Sequence, residues 1–436
     1  MTEKIIVLHP VLPPSKTGVA KARVPEAALE EAVGLAAAID LDVVHAEHFR
    51  VTRVTPATLF GRGVIDRVCE IAEENECSLV FVDHALTPTQ QRNLERALNC
   101  KVIDRTGLIL EIFGARARTK EGVLQVELAA LSYQRSRLVR AWTHLERQRG
   151  GFGFTGGPGE TQIELDRRML DDKIKKLKLE LEDVRRTRRI QRESRKKEPY
   201  PIVALVGYTN AGKSTLFNRL TGADVMAQDL LFATLDTTMR GIRLPSGRNA
   251  ILSDTVGFIS DLPTHLVAAF RATLEEVQES AVILHVRDMA QADTEAERED
   301  VLNILSDLGI APDSDERLIE VQNKIDALPI EEREAAMNRA GRSDKTVAVS
   351  ALTGSGLDDL LRAIDETLGR HDKTVYVDVD LTDGSALAWL YRRGHVLDRN
   401  DDDSLAHVTV RMDEADCARF AEKYTYKLKT GQREKA

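Results

Sequence analysis

The sequence predicts a multidomain α/β protein, because its 436 residues exceed what one ordinary core accommodates and because three patterns divide the chain. Apolar runs alternate with helical patterns over residues 1–115 and 199–371, which predicts a small N-terminal parallel α/β domain and a larger doubly wound domain. Leucines at helical spacing predict an antiparallel helical hairpin over residues 116–198. A shorter mixed pattern predicts a small α+β C-terminal domain over residues 372–430, followed by a disordered tail at 431–436.

Composition indicates a globular protein of a reducing compartment. Hydrophobic residues make up 42% of the chain and charged residues 30%, and no apolar run approaches the roughly 18 residues that a membrane span needs. The four cysteines form no CxxC pair, which argues against a structural zinc or a disulfide framework. The first residues, MTEKIIVLHP, lack the pattern of a secretion signal, so we predict a cytoplasmic protein without membrane contact.

The N-terminal domain is predicted from three apolar runs of strand length, at residues 4–8, 41–44 and 79–83. Helical patterns such as PEAALEEAVGLAAAI separate them, so we expect parallel strands with crossover helices. Residues 1–110 contain no phosphate-binding loop, and whether this domain has a ligand of its own stays open.

The helical hairpin is predicted from two seams in which apolar residues recur at steps of three and four, as in coiled-coil-like packing. The first helix carries Leu124, Leu128, Leu131, Leu138, Trp142 and Leu145, and the second carries Leu170, Ile174, Leu177, Leu181 and Val184. Each seam covers only about three heptads, so we expect a short hairpin rather than a long rod.

Positive charge is concentrated on this hairpin. Residues 135–197 hold 19 lysines and arginines against 10 aspartates and glutamates, although the whole chain has a net charge of −9. Such a segment on an acidic protein indicates either a solvated helical face or a docking surface for a polyanion.

A phosphate-binding loop opens the doubly wound domain. The segment VALVGYTNAGKSTLFNRL contains G-x-x-x-x-G-K-S between an apolar strand and a helix, which is the context that such a loop requires. Gly207 and Gly212 let backbone N–H groups face the phosphates, Lys213 reaches the outer phosphates, and Ser214 offers its hydroxyl to Mg2+. The sequence therefore predicts a P-loop site for a nucleoside triphosphate with Mg2+.

Three later motifs, each at the end of a strand, predict that the base is guanine. In SDTVG, the Asp254 carboxylate can hold Mg2+ through water and the Gly257 N–H can touch the γ-phosphate. In NKID, Asp326 can accept two hydrogen bonds from guanine, while Asn323 and the Lys324 stem flank the base. The VSAL segment suits contact with the base edge. Their order along the chain predicts a GTPase.

The switch regions leave two points open. The segment LFATLDTTMRG offers three threonines, Thr234, Thr237 and Thr238, as the Mg2+ ligand that senses the γ-phosphate. After DTVG, Phe258 occupies the position at which Ras-like GTPases carry the water-orienting glutamine. Because a phenyl ring cannot hold water by hydrogen bonds, we expect slow intrinsic turnover that is stimulated on docking to a partner.

A glycine-rich segment, GGFGFTGGPGETQ at residues 150–162, lies between the two hairpin helices. It follows no strand and lacks G-K-[ST], so it is not the phosphate loop. Its thirteen residues exceed the usual length of a helix connection, and Phe152 and Phe154 suit stacking on unpaired RNA bases. We therefore expect the hairpin tip to approach RNA.

The combination of GGPGETQIE, GYTNAGKST, FATLD, DTVGF and NKID resembles the HflX family of translation-factor-related GTPases. The resemblance implies a GTPase that binds the large ribosomal subunit and its RNA through residues 135–197 and splits or rescues stalled or hibernating ribosomes. It also implies that Thr234, in FATLD, is the switch-I ligand of Mg2+, and that an apolar residue at position 258 is shared within the family.

Together the motifs and the resemblance give the predicted site. Its catalytic residues are Lys213, Thr234 and Gly257, and its Mg2+ ligands are Ser214 and Thr234. The full set of predicted nucleotide contacts is Gly207, Tyr208, Thr209, Asn210, Ala211, Gly212, Lys213, Ser214, Thr215, Phe232, Ala233, Thr234, Leu235, Asp236, Asp254, Thr255, Val256, Gly257, Asn323, Lys324, Ile325, Asp326, Ser350, Ala351 and Leu352.

Two other functions compete with this one. A large-subunit assembly factor would bind precursor particles and use GTP at the same site as an on/off switch. Membrane remodelling through the hairpin is disfavoured, because its apolar positions form a narrow seam rather than the wide face of interfacial helices. Nothing in the sequence demands more than a monomer.

Overall fold

The computed structural model describes residues 3–13, 23–148, 158–195, 200–223, 232, 238–260, 276–370 and 372–430. The predicted disordered tail at 431–436 lies outside these residues. No helix in the described ranges is both long enough and apolar enough to cross a membrane.

The N-terminal domain is a parallel α/β domain, as predicted, and its sheet has helices on both faces. Among the described residues the strand order is β2-β1-β3-β4, with α1 and α4 on one face and α2 and α3 on the other. The strand β4 was not predicted, because its four residues lie between two helices without a long apolar run. The elements are β1 (Lys4–Val11), α1 (Pro25–Ala37), β2 (Asp42–Arg50), α2 (Arg62–Glu74), β3 (Leu79–Val82), α3 (Pro88–Leu98), β4 (Lys101–Asp104) and α4 (Arg105–Arg116).

Two long helices form the hairpin, α5 (Lys120–Gln148) and α6 (Pro158–Arg195). The predicted seam is partly buried. Leu124, Ile174, Leu177 and Leu181 are each at most 8% exposed, whereas the other described seam residues, Leu128, Leu131, Leu138, Leu170 and Val184, are half-buried. The helices are longer than expected, with 29 and 38 residues. Because α6 begins at Pro158, the PGETQ part of the predicted loop is helical, so that loop was predicted too long.

The third domain is a mixed sheet with the strand order β10-β9-β8-β5-β7-β6 in the described part of the chain. All neighbouring strands are parallel except β6, which runs antiparallel to β7 at the edge. The polar edge strand β6 gave no apolar run in the sequence. The elements are β5 (Ile202–Gly207), α7 (Lys213–Thr221), β6 (Thr238–Arg243), β7 (Asn249–Asp254), β8 (Val282–Asp288), α8 (Thr294–Asp307), β9 (Leu318–Asn323), α9 (Ile330–Ala340), β10 (Thr346–Ala348) and α10 (Leu357–Gly369).

The C-terminal domain has the order β-α-β-β-α-β, and its antiparallel sheet reads β12-β13-β11-β14 over the described residues. Valines on β11 and β13 and the helix residues Leu390 and Phe420 form its core on one face of the sheet. The exposed strand β12 was not predicted, because it is polar along most of its length. The elements are β11 (Lys373–Asp380), α11 (Gly384–Arg393), β12 (His395–Asp401), β13 (Leu405–Met412), α12 (Glu414–Lys423) and β14 (Lys429–Thr430).

One apolar cluster joins the N-terminal domain to the third domain. It runs from Leu108 and Ile112 on α4 to Val206 on β5 and Val301 on α8, all of them fully buried. Because the core is shared, the two domains pack as one unit at this face, and the phosphate-binding loop lies beside that contact.

Candidate nucleotide-binding site

The predicted phosphate loop connects β5 to the first turn of α7. Its last glycine, Gly212, has a φ of +88°, and a Cβ there would lie 2.3 Å from Nδ2 of Asn323. Only glycine therefore fits between the loop and the NKID segment. The helix α7 begins at Lys213, so its free N–H groups and positive dipole end face the loop. This arrangement can bind phosphate.

The ammonium of Lys213 is buried beneath the loop. Its Nζ donates a hydrogen bond to the carbonyl of Tyr208 at 2.6 Å. Burial lowers the pKa of Lys213 to about 8, although the negative charges of Asp254 and Glu297 oppose that shift. A bound phosphate would supply the missing anionic partner and raise the pKa again.

Two of the oxygen donors suited to Mg2+ meet at the start of α7. The Ser214 hydroxyl donates to Oδ2 of Asp254 at 2.8 Å, and Asp254 is fully buried at the end of β7. A hydroxyl and a carboxylate beside a phosphate loop are the donors that Mg2+ takes in nucleotide sites, so the residues fit the ion. The predicted third donor, Thr234, lies outside the described residues, as do Ala233, Leu235 and Asp236.

The segment after Asp254 lies directly on the phosphate loop. Thr209 N donates to the carbonyl of Phe258 at 2.7 Å, and Phe258 N donates to the carbonyl of Gly207 at 3.1 Å. A Cβ on Gly257 would lie 3.1 Å from Lys213 Nζ and 3.0 Å from Thr209 Cα. Gly257 therefore lies directly beside the Lys213 ammonium, and a larger residue would crowd the phosphate loop.

The Phe258 ring is buried in the apolar cluster that joins the N-terminal domain to the third domain. It belongs to the same apolar cluster as Tyr208, Phe232 and the α4 residue Phe113. The ring of Phe232 packs edge-on against Phe113 with centroids 4.6 Å apart. Phe232 therefore contributes its side chain to the contact between domains, and any contact of Phe232 with nucleotide would come from its backbone.

The predicted guanine end of the site consists of three loops, and the side-chain amide of Asn323 hydrogen-bonds to the other two. Asn323 is 1% exposed; its Nδ2 donates to the carbonyl of Ala211 at 2.9 Å, and its Oδ1 accepts from Ala351 N at 3.0 Å. Asp326 is half-buried in a short 3-10 turn, and Leu352 is 72% exposed beside the loop. The predicted base-contacting residues are thus brought to one place.

A buried polar network ties the phosphate loop to the N-terminal domain. The Tyr208 hydroxyl donates to Glu31 on α1 and accepts from Ser260 N at 2.8 Å and from Arg23 at 3.0 Å. Burial, with Glu31 beside it, raises the pKa of Tyr208 well above its usual value, so the phenol stays protonated. Arg105, at the start of α4, donates to Ser260 Oγ at 2.7 Å and also pairs with Glu31.

Sequence reasoning missed this network. Glu31, Arg105 and Ser260 are separated by 74 and 155 positions along the chain, and none belongs to a motif. Asp288 was also missed, although a carboxylate at the end of the apolar strand VILHVRD is a signal that points to the nucleotide edge of the sheet.

The phosphate loop, the DTVG segment and the NKID segment, at one edge of a mostly parallel sheet, define a P-loop GTPase. Comparison with protein families agrees. The chain matches the models described as GTP-binding GTPase N-terminal (residues 26–114), GTP-binding GTPase Middle Region (116–195), 50S ribosome-binding GTPase (202–324) and HflX C-terminal domain (335–435).

Two HflX relatives give the same result. The chain is 50% identical to GTPase HflX of Magnetococcus marinus, over 88% of each chain, and 48% identical to GTPase HflX of Escherichia coli, over 72% of each. A GTP-binding protein from Sulfolobus solfataricus, solved with GDP, aligns with a TM-score of 0.44 at 22% identity, over 85% of this chain and 99% of that chain. The chain belongs to the HflX family of GTPases and hydrolyses GTP.

We predict that Tyr208→Phe lowers the free energy of unfolding by about 1–3 kcal/mol, because Glu31 and Ser260 N lose a buried hydrogen-bond partner. Urea denaturation measures the change. Tyr376→Phe is the matched control, since this half-buried tyrosine lies on the C-terminal sheet. Equal effects of the two substitutions would contradict the role of the Tyr208 hydroxyl.

We predict that GDP affinity declines as the pH rises above about 8. In the free protein Lys213 loses its proton near that pH, whereas bound phosphate favours the charged form, so binding above this pH takes up a proton. The decline approaches tenfold per pH unit. Titrations between about pH 7 and 9 test it, and Lys213→Met should bind weakly with no such decline. A pH-independent affinity in the unsubstituted protein would refute the prediction.

Proposed function

We propose that this GTPase binds the large ribosomal subunit through residues 135–197 and couples its GTP cycle to the splitting or rescue of stalled or hibernating ribosomes. It acts in the cytoplasm as a monomer, and Ser214 and Thr234 hold the Mg2+ that offsets phosphate charge. The observation that carries the proposal is the continuity between the nucleotide site and the basic hairpin.

That continuity follows a short chain of contacts. Ser260, just after the DTVGF segment, accepts a hydrogen bond from Arg105 on α4. Asp104, the residue before Arg105, accepts hydrogen bonds from Gly107 N at 2.9 Å and from Arg137 on α5 at 2.8 Å. A shift of the switch at Ser260 is therefore transmitted to α5 of the hairpin through two consecutive residues, Arg105 and Asp104.

The far part of the hairpin presents positive charge to solvent. On α6 the side chains of Arg168, Lys175 and Lys176 are between 75% and 79% exposed. Their acidic neighbours lie on the same exposed surface, so these ion pairs are weak and leave the cations available to phosphates. Ribosomal RNA is the polyanion that a 50S ribosome-binding GTPase would meet.

The reaction needs the residues of this chain in three roles. The phosphate-loop amides and Lys213 hold the β- and γ-phosphates, the N–H of Gly257 contacts the γ-phosphate, and Asp326 recognises guanine. With GTP bound, the γ-phosphate holds the DTVG segment through Gly257, and hydrolysis releases this contact. Because Phe258 is part of the domain contact, water is oriented by another group, which docking on the ribosome supplies.

We predict that Asp326→Asn exchanges guanine for xanthine specificity. The carboxylate accepts two hydrogen bonds from guanine, and each such bond to a charged group contributes about 1.5–3 kcal/mol, so GDP should bind at least about 100-fold more weakly. Xanthosine diphosphate should then bind better than GDP, measured by competition. An unchanged preference for GDP over xanthosine diphosphate would show that Asp326 does not recognise the base.

We predict that large subunits stimulate GTP turnover and that a triple variant, Arg168→Gln, Lys175→Gln and Lys176→Gln, loses this stimulation. Subunit binding should weaken, and the slope of log K against log salt should fall by about one for each phosphate contact removed. GDP affinity should not change. Shortening Gly150–Gly159 should likewise abolish stimulation and preserve GDP binding.

The matched control substitutes three exposed lysines off the hairpin, Lys101→Gln, Lys423→Gln and Lys427→Gln. Equal loss in the control would indicate a non-specific charge effect, and absence of stimulation in the unsubstituted protein would overturn the proposal. Depletion in cells separates the remaining alternative: an assembly factor leaves immature large subunits, whereas a rescue factor leaves stalled, intact ribosomes.

A further inference from the structure

We propose that Asp288 is a positioning residue for guanine nucleotides, which acts by fixing the side chain of Lys324. Lys324 belongs to the NKID segment, whereas Asp288 ends the neighbouring strand β8 and belongs to no motif. The two side chains form an ion pair, with Nζ of Lys324 2.7 Å from Oδ2 of Asp288.

The carboxylate of Asp288 is itself held in place. Its side chain is 6% exposed, and its Oδ1 accepts a hydrogen bond from Ala290 N at 2.9 Å. Strands β8 and β9 pair Asp288 with Asn323, and Met289 N donates to the carbonyl of Asn323 at 3.0 Å. Because Oδ1 is held by Ala290 N and the backbone is held by strand pairing, the buried carboxylate presents Oδ2 to the adjacent lysine at a fixed position.

Lys324 needs such an anchor because it is long and only partly buried. Its backbone is left-handed, with a φ of +62°, which turns the side chain back toward the phosphate loop. The stem passes near Gly212, where a Cβ would lie 3.9 Å from Cε of Lys324. A free lysine side chain samples many rotamers, and fixing its ammonium leaves the four-carbon stem as a pre-ordered apolar surface beside the base.

This assignment predicts a particular pattern of binding. Asp288→Asn keeps the shape of the side chain and an oxygen that can accept from Ala290 N, but it removes the charge that holds Lys324. GDP and GTP should both bind about tenfold more weakly, which is within the entropy that a lysine side chain loses on being fixed. The preference for guanine over xanthine should not change, because Asp326 is untouched.

A double-mutant cycle on the full-length protein tests the proposal, with dissociation constants for GDP and GTP measured by fluorescence titration. In the Lys324→Met background, Asp288→Asn should cause no further loss of affinity. Asp315→Asn is the matched control, since Asp315 forms a comparable pair with Arg317 at 2.7 Å in the same domain. Asp288→Ser serves as a second variant if the Asn variant does not fold.

Three results would overturn the assignment. Unchanged or tighter binding by Asp288→Asn would show that the ion pair does not order the site. The same loss in the Lys324→Met background would show that Asp288 acts independently of the lysine. A loss confined to GTP would place the effect at the γ-phosphate rather than beside the base.

Discussion

The structure depends on one buried hydroxyl, that of Tyr208. The backbone of this residue belongs to the phosphate loop, while its side chain bonds to Glu31, Arg23 and the backbone of Ser260. A single residue thus contacts the nucleotide site, the N-terminal domain and the segment that follows DTVGF. Because its three partners are at fixed positions, movement of the loop and movement between the domains are not independent.

The buried charges around Tyr208 determine what separating the N-terminal domain from the third domain costs. Glu31 accepts from both Arg23 and Arg105, and Arg105 is also paired with the buried Asp83. A buried charge that loses its partner costs several kcal/mol, whereas the complete set roughly balances. Partial separation of the domains is therefore unfavourable.

The sequence predicted the features that follow from residue type and spacing. It missed the features that depend on contacts between residues distant in the chain. The phosphate loop, the DTVG and NKID segments and the hairpin seam follow from residue type and spacing. The polar strands β6 and β12 do not, because exposed edges lack an apolar signature. The Phe113–Phe232 contact joins residues from different domains, so position 232 could be assigned only to the nucleotide. The position of Thr234 and its neighbours stays a prediction.

The base end and the phosphate end of the nucleotide site differ in whether their contacts reach the N-terminal domain. At the base end, Asn323 connects Ala211 to Ala351, and Lys324 pairs with Asp288; all these residues lie within one domain. These contacts do not depend on the number of phosphates, so this end can set affinity but cannot distinguish GTP from GDP. At the phosphate end, Gly257 lies next to Lys213, and Ser260, three residues later, bonds to Arg105 of the N-terminal domain. In the proposed mechanism only this end meets the γ-phosphate, so only through it would hydrolysis alter the position of the hairpin.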